Sequence, residues 1–315
     1  MHDLKDMMLQ TTLMNAPKSG SVEIIKDALI AINSEGSISS VLTPGDPAYA
    51  AAHAAARNTN KLATTGPRQY LLPGFVDLHI HAPQWPQLGK ALDVPLEVWL
   101  QQHTFPLEAR YADTEFARLV YQDLVTALLA HGTTSAVYFA TIHQPATRIL
   151  ADICLQQGQR GFIGKVAMDN EDQCPDFYRD ANAEAALEGT RTFVDYVLSM
   201  PGNSSALVRP VITPRFIPSC SDTALAGLGA LAAEYDCHIQ THCSESDWEQ
   251  AYVLDRTGRT DAQALDGFGL LGRHTVLAHS NFLSDDDMDL VRSKGSGVAH
   301  CPLSNVYFSN AVFPL

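Results

Sequence analysis

The sequence predicts an α/β fold: a (β/α)8 TIM-type barrel of which strands one to seven are present, preceded by a small β-rich N-terminal domain. Three observations carry this. From Tyr70 onward, apolar strand-like runs alternate with helical segments, the pattern of a parallel sheet wrapped by helices. Residues 73–315 come close to the roughly 250 residues that such a barrel occupies. Histidines recur at the C-terminal ends of the strands, the rim where barrel active sites form. Seven strands would also satisfy an open doubly wound sheet; the placement of the histidines decides for the barrel.

Residues 1–72 form the first domain. An apolar run from Val22 and Ile24 to Ile32 breaks at Asn33-Ser34-Glu35-Gly36 and resumes at Ile38 and Val41, which predicts two strands about a glycine-containing turn. Ala48–Arg57 is alanine-rich and predicts a short helix. Thr64–Gln69, with Gly66-Pro67, is a linker. The barrel, 73–315, has candidate strands at Gly74–His79, Thr134–Phe139, Phe162–Met168, Val208–Thr213, Cys237–His242, Thr275–His279 and Gly297–His300. Helices fall between them, at Thr114–Ala130, Ala146–Gln157, Ala183–Leu198, Thr223–Glu234, Asp247–Arg256 and Asp285–Lys294. Asp113 and Ser284 are placed to cap the first and the last.

Composition narrows the partners. A formal charge of −14 opposes binding to nucleic acid or an anionic membrane, which needs a basic surface. A small uncharged or cationic ligand fits better. The six cysteines contain no C-x-x-C pair, which favours reduced thiols over a disulfide framework. Met1-His2-Asp3 begins no signal peptide, and no apolar stretch approaches the roughly 20 residues of a membrane span. A cytoplasmic protein is the expectation.

The chemistry gathers at the strand ends. His79 and His81 stand at i and i+2 of an extended run, so both imidazoles point the same way and can reach one metal. His242, His279 and His300 close three further strands. Glu245 follows His242 by three residues, a position from which a carboxylate can move protons in metal-assisted hydrolysis; as an acidic residue opening a helix it also suits the macrodipole. Gly267-Phe268-Gly269-Leu270-Leu271-Gly272 spells G-x-G-x-x-G but precedes a strand, so a dinucleotide loop is excluded. His103, His131 and His143 lack strand-end placement and are expected to be structural or superficial.

These residues carry a resemblance. Leu72-Pro73-Gly74-Phe75-Val76-Asp77-Leu78-His79-Ile80-His81 resembles the first strand of the amidohydrolase superfamily, and His300-Cys301-Pro302-Leu303-Ser304-Asn305 the run after its seventh. Within the superfamily, several stretches are similar to the guanine deaminases: His81-Ala82-Pro83-Gln84, Thr104-Phe105-Pro106-Leu107-Glu108, Tyr138-Phe139-Ala140-Thr141-Ile142-His143, Lys165-Val166-Ala167-Met168-Asp169 and Thr213-Pro214-Arg215-Phe216.

The resemblance implies zinc-dependent hydrolytic deamination of guanine to xanthine and ammonia, a step of purine catabolism. It implies one zinc ion held by His79, His81 and His242, although such a donor set also suits iron. Glu245 becomes the proton shuttle, and His279 stands beside the attacking water or the substrate. Gln84, Arg215 and Phe216 hold the purine, with His242 and Glu245 bordering it. Arg215 donates and cannot accept, which matches the O6 carbonyl of guanine and not the amino group of adenine. A homodimer is implied, as is a composite β-sandwich to which residues 1–72 contribute. The family also places an Asp ligand after an eighth strand, beyond Leu315; the chain expressed alone is therefore expected to be inactive and poorly soluble. The competing readings are another purine- or triazine-acting amidohydrolase, or a non-catalytic isoform that binds or dimerises.

Overall fold

The computed structural model describes residues 4–314, which divide into two units at Gly74. In the first unit, β1 (Met8–Asn15) is central. It pairs antiparallel with β2 (Glu23–Ile32) on one side and parallel with the short β4 (Leu62–Thr64) and β5 (Tyr70–Leu71) on the other. The expected β2–β3 turn forms before β3 (Ile38–Leu42). Asn33 Oδ1 accepts from the amides of Glu35 and Ser37, at 3.1 and 2.8 Å, and Gly36 takes the left-handed backbone that closes it. Leu9, Ala28, Leu29, Ile30 and Ala56, the last from helix Tyr49–Asn58, form the small core. The sequence does not announce β1, because its polar Gln10, Thr11 and Thr12 break the apolar run.

The second unit is a parallel barrel of seven strands, nearly closed. In spatial order the sheet runs β13 (Gly297–Ala299), β12 (Thr275–His279), β11 (His238–Cys243), β10 (Val208–Pro214), β8 (Arg160–Gly164), β7 (Thr133–Phe139) and β6 (Phe75–His81). The run predicted over Phe162–Met168 is interrupted at Lys165 and resumes as β9 (Val166–Ala167), which pairs with β10. β6 and β13, the two ends of the sheet, face each other across a groove of about 470 Å³. Phe75, Val76 and Leu78 of β6 are exposed.

Helices cross between the strands much as the apolar periodicity predicts. Asp113 caps Thr114–Ala130 through the amides of Glu115 and Phe116, and Ser284 forms a capping box with Asp287 at Asp285–Lys294. The glycine-rich 267–272 segment joins a further short helix, Asp261–Gly267, to β12. Two apolar clusters seal helices to the sheet; a third, including Leu96, Trp99, Phe105, Phe139, Tyr178 and Phe216, lies at the C-terminal rim.

Inside the barrel the approach is tight at Gly164, where a Cβ would overlap the Thr213 hydroxyl and press on the Gln240 amide. Both neighbours are hydrogen-bonded to each other, at 3.0 Å, and Gln240 also to the Tyr138 carbonyl at 2.7 Å, so neither yields freely. Gly164→Ala should therefore destabilise the barrel by about 1–3 kcal/mol. A calorimetric melt unchanged from that of the parent would show that the layer can relax.

Candidate active site

Alternation along β6 turns His79 and His81 to one face, and β11 and β12 deliver His242 and His279 to the same mouth. One ring nitrogen from each of His79, His81 and His242 lies within 4.8 Å of the others. The rings of His79 and His242 are 4.8 Å apart and those of His242 and His279 5.5 Å apart. Burial holds His79, His81 and His242 well below the usual imidazole range, and the neighbouring imidazoles and Arg215 push the same way. Neutral imidazoles are the form that ligates metals.

His242 Nδ1 donates to the Arg215 carbonyl at 2.6 Å, leaving its Nε2 as a lone pair directed at His81 Nε2, 2.9 Å away. His81 Nδ1 is buried with no partner among the described residues. Either tautomer of His81 leaves at least one nitrogen of this pair unsatisfied. Three convergent neutral imidazoles, one oriented from behind by a backbone carbonyl, therefore fit a borderline divalent cation.

Glu245 sits beside this cluster on the turn after β11, where Ser244 takes a left-handed backbone. The turn is well held. The Glu245 amide donates to Glu249 Oε2 at 2.7 Å, and its carbonyl accepts from Asn281 Nδ2 at 2.9 Å. Its carboxyl, pushed up to about 7 by burial against the opposing pull of Arg215, stands 3.4 Å from His279 Nε2. Burial moves His279 down to about 4, so this contact is a hydrogen bond from the protonated form of Glu245 to a neutral imidazole rather than an ion pair. Asn305 Oδ1 accepts from His279 Nδ1 at 2.9 Å and fixes the tautomer whose Nε2 faces Glu245.

These groups line a cavity of about 520 Å³, within the usual size for a small-molecule site. Gln84, on the turn Ala82–Gln87 after β6, and Arg215 and Phe216, immediately after β10, form part of its wall, and Trp85, Trp99 and Phe308 supply apolar surface. Every anticipated site residue is thus brought to one cavity. His300 lies just beyond β13, exposed, and lines the same cavity outside the three-imidazole group. His103 and His131 are exposed, and His143 packs against Tyr178 at 5.8 Å between rings; none joins the cluster.

Several supporting groups carried no assigned role in the sequence. Glu108, fully buried on the short helix Phe105–Ala109, binds Arg215, Tyr178 and Gln84. Its sequence signals are an acid inside the otherwise apolar Phe-Pro-Leu-Glu-Ala and its place in the family-like stretch Thr104–Glu108, neither of which assigns it a role. Glu249 and Asp261 are buried behind Glu245 and its turn; burial, then repulsion from neighbouring acids, raises Glu249 to about 8 and Asp261 well above the carboxylate range.

Comparison with known proteins agrees with this geometry. Residues 70–315 match the amidohydrolase family. A probable guanine deaminase of Schizosaccharomyces pombe is 44% identical over 76% of this chain and 45% of its own length. The guanine deaminase of Dictyostelium discoideum is 35% identical over 96% of the chain and 68% of its length, and the human one 40% identical over 77% and 53%. The chain thus spans about half the length of several curated relatives. The crystal structure of guanine deaminase from C. acetobutylicum with guanine in its active site superposes with a TM-score of 0.87, at 31% identity, over 98% of this chain and 70% of that one. With a rim of imidazoles on a parallel barrel and a match over most of its residues, the chain belongs to the amidohydrolase family, within its guanine-deaminase-like branch.

Proposed function

We propose that this chain forms the catalytic barrel of a zinc-dependent guanine deaminase that converts guanine and water to xanthine and ammonia. The observation that carries the reading is the placement of Glu245 beside the three-imidazole cluster in a cavity walled by Arg215 and Gln84. His79, His81 and His242 would hold the metal. When bound there, zinc supplies the acidity that makes water a nucleophile near neutral pH. Arg215 offers donors to the O6 carbonyl of the base, and Phe216 lends apolar surface to the ring.

As the water oxygen adds to C2, the Glu245 carboxylate takes its first proton and passes it to the adjacent ring nitrogen. The second water proton follows the same route to the amine as the C2–N bond breaks, leaving xanthine and ammonia. A carboxyl whose affinity for protons lies near neutrality serves both accepting and releasing steps. His279, neutral and fixed by Asn305, accepts a hydrogen bond from the protonated Glu245 and holds it in place. The reading includes a cytoplasmic homodimer acting on a free purine base, and the charge of −14 supports the absence of nucleic-acid or membrane partners. Among the described residues, no helix is long and apolar enough to cross a membrane.

The test is ammonia release from guanine, adenine and cytosine, before and after chelation, by the protein carrying the eighth-strand Asp that the resemblance calls for. Guanine should exceed adenine by roughly 10⁴-fold, since adenine sets donor against donor at Arg215. Chelation should abolish turnover and zinc restore it. Adenine turnover at a comparable rate would sink the assignment; restoration by iron and not zinc would change the metal.

A further inference from the structure

Glu108 does not line the cavity; it stands behind the wall and touches two residues that do. Its Oε2 accepts from Arg215 Nη1 at 2.6 Å and from the Tyr178 hydroxyl at 2.7 Å. Its Oε1 accepts from Gln84 Nε2 at 3.1 Å and from Arg215 Nη2 at 3.3 Å. The carboxylate is wholly buried and ion-paired with Arg215, itself almost wholly buried. Four donors thus converge on one group that, when ionised, can only accept.

This has a consequence for the Gln84 amide, whose two ends have opposite hydrogen-bonding character. Because Glu108 takes its nitrogen, its oxygen is left for the cavity. Arg215, with two of its five N–H groups committed to Glu108, keeps donors for the same wall. An acceptor beside donors is the complement of a ring edge that carries an N–H next to a carbonyl.

We propose that Glu108 is a specificity-determining positioning residue: by committing the Gln84 nitrogen and the Arg215 fork, it makes the wall complementary to the N1–H, C6=O edge of a 6-oxopurine. The inference rests on the proposed purine site. It does not depend on which substituent at C2 is hydrolysed.

The test is Glu108→Gln in the intact, zinc-loaded protein. The substituted amide keeps one acceptor for four donors. That oxygen satisfies the shorter Arg215 and Tyr178 contacts, which turns its NH₂ toward Gln84. Gln84 can answer only by flipping, so its nitrogen then faces the cavity. Affinity is measured by calorimetry for hypoxanthine, which has the N1–H, C6=O edge, and for purine, whose N1 is an acceptor; neither has a C2 amine to lose.

The parent should prefer hypoxanthine. In Glu108→Gln the hypoxanthine affinity should fall by roughly 10–100-fold, the scale of a mispaired buried hydrogen bond, while purine holds or binds tighter. Adding Gln84→Glu should restore the preference, because a carboxylate at position 84 accepts from the new amide with one oxygen and presents the other to the cavity. This double variant keeps the charge count, and it carries the test if the single variant does not fold. Equal weakening of both ligands, an unchanged preference in Glu108→Gln, no recovery in the double variant, or a parent without preference would each overturn the role of Glu108. A parent that prefers hypoxanthine yet releases no ammonia from guanine would overturn the proposed reaction and leave Glu108's role standing.

Discussion

Glu245→Gln is expected to leave a folded protein with its metal content unchanged and the proposed guanine turnover reduced by roughly 10²–10⁴-fold, the usual contribution of a positioned proton carrier. The substitution preserves shape, and the backbone contacts that hold the turn, to Glu249 and Asn281, do not involve the side chain being changed. What it removes is the exchangeable proton. In the parent, Glu245 must be ionised to take the first proton from water, and burial raises its carboxyl, so kcat/KM should rise with pH as it deprotonates; in the variant that acid arm should vanish. Elemental analysis decides between shuttle and ligand. Glu245 also lies within ligand distance of His242 and His279, and loss of zinc together with activity would reassign it to the metal.

Lys165→Met should lower stability by about 3–5 kcal/mol, an effect on the order of 10 °C in Tm for a unit of this size. Lys165 Nζ meets Asp180 Oδ1 at 2.5 Å with both side chains buried, and Asp180 Oδ2 accepts from the Met168 amide at 3.0 Å. Removing the ammonium strands a carboxylate where little water reaches. The double variant Lys165→Met, Asp180→Leu should recover much of the loss, because an apolar pair needs no desolvation. A single variant that melts within a degree or so of the parent would mean that Asp180 finds another partner or is hydrated.

Lys165 also marks where the sequence is hard to read. The apolar run through Phe162–Met168 predicts one strand, but it breaks at Lys165, which is buried against Asp180, into β8 and β9. The other parallel strands were legible within a residue or two, because buried strands read as continuous apolar runs. The convergence of His79, His81 and His242 was legible because a two-residue spacing and a strand end are local features. Glu108 was not: its partner Arg215 is 107 positions away and nothing local announces the contact. The segment between β6 and helix Thr114–Ala130 was equally opaque. Pro83, Pro86, Pro95 and Pro106 cut it into short turns whose apolar side chains, among them Leu96, Trp99 and Phe105, find one another only in the folded rim.

The strand carrying His79 and His81 is an end strand of the sheet. Among the described residues β6 has a ladder to β7 and no second neighbour, whereas β11, which brings His242, is bonded on both sides. A cation gripped by all three imidazoles would act as a cross-brace from a loosely anchored margin to the interior of the sheet. Filling the site then contributes to holding the mouth shut as well as to chemistry, by an amount that grows with the free metal concentration over its dissociation constant. Affinity for the ion and rigidity of that margin are therefore one thermodynamic quantity seen from two sides.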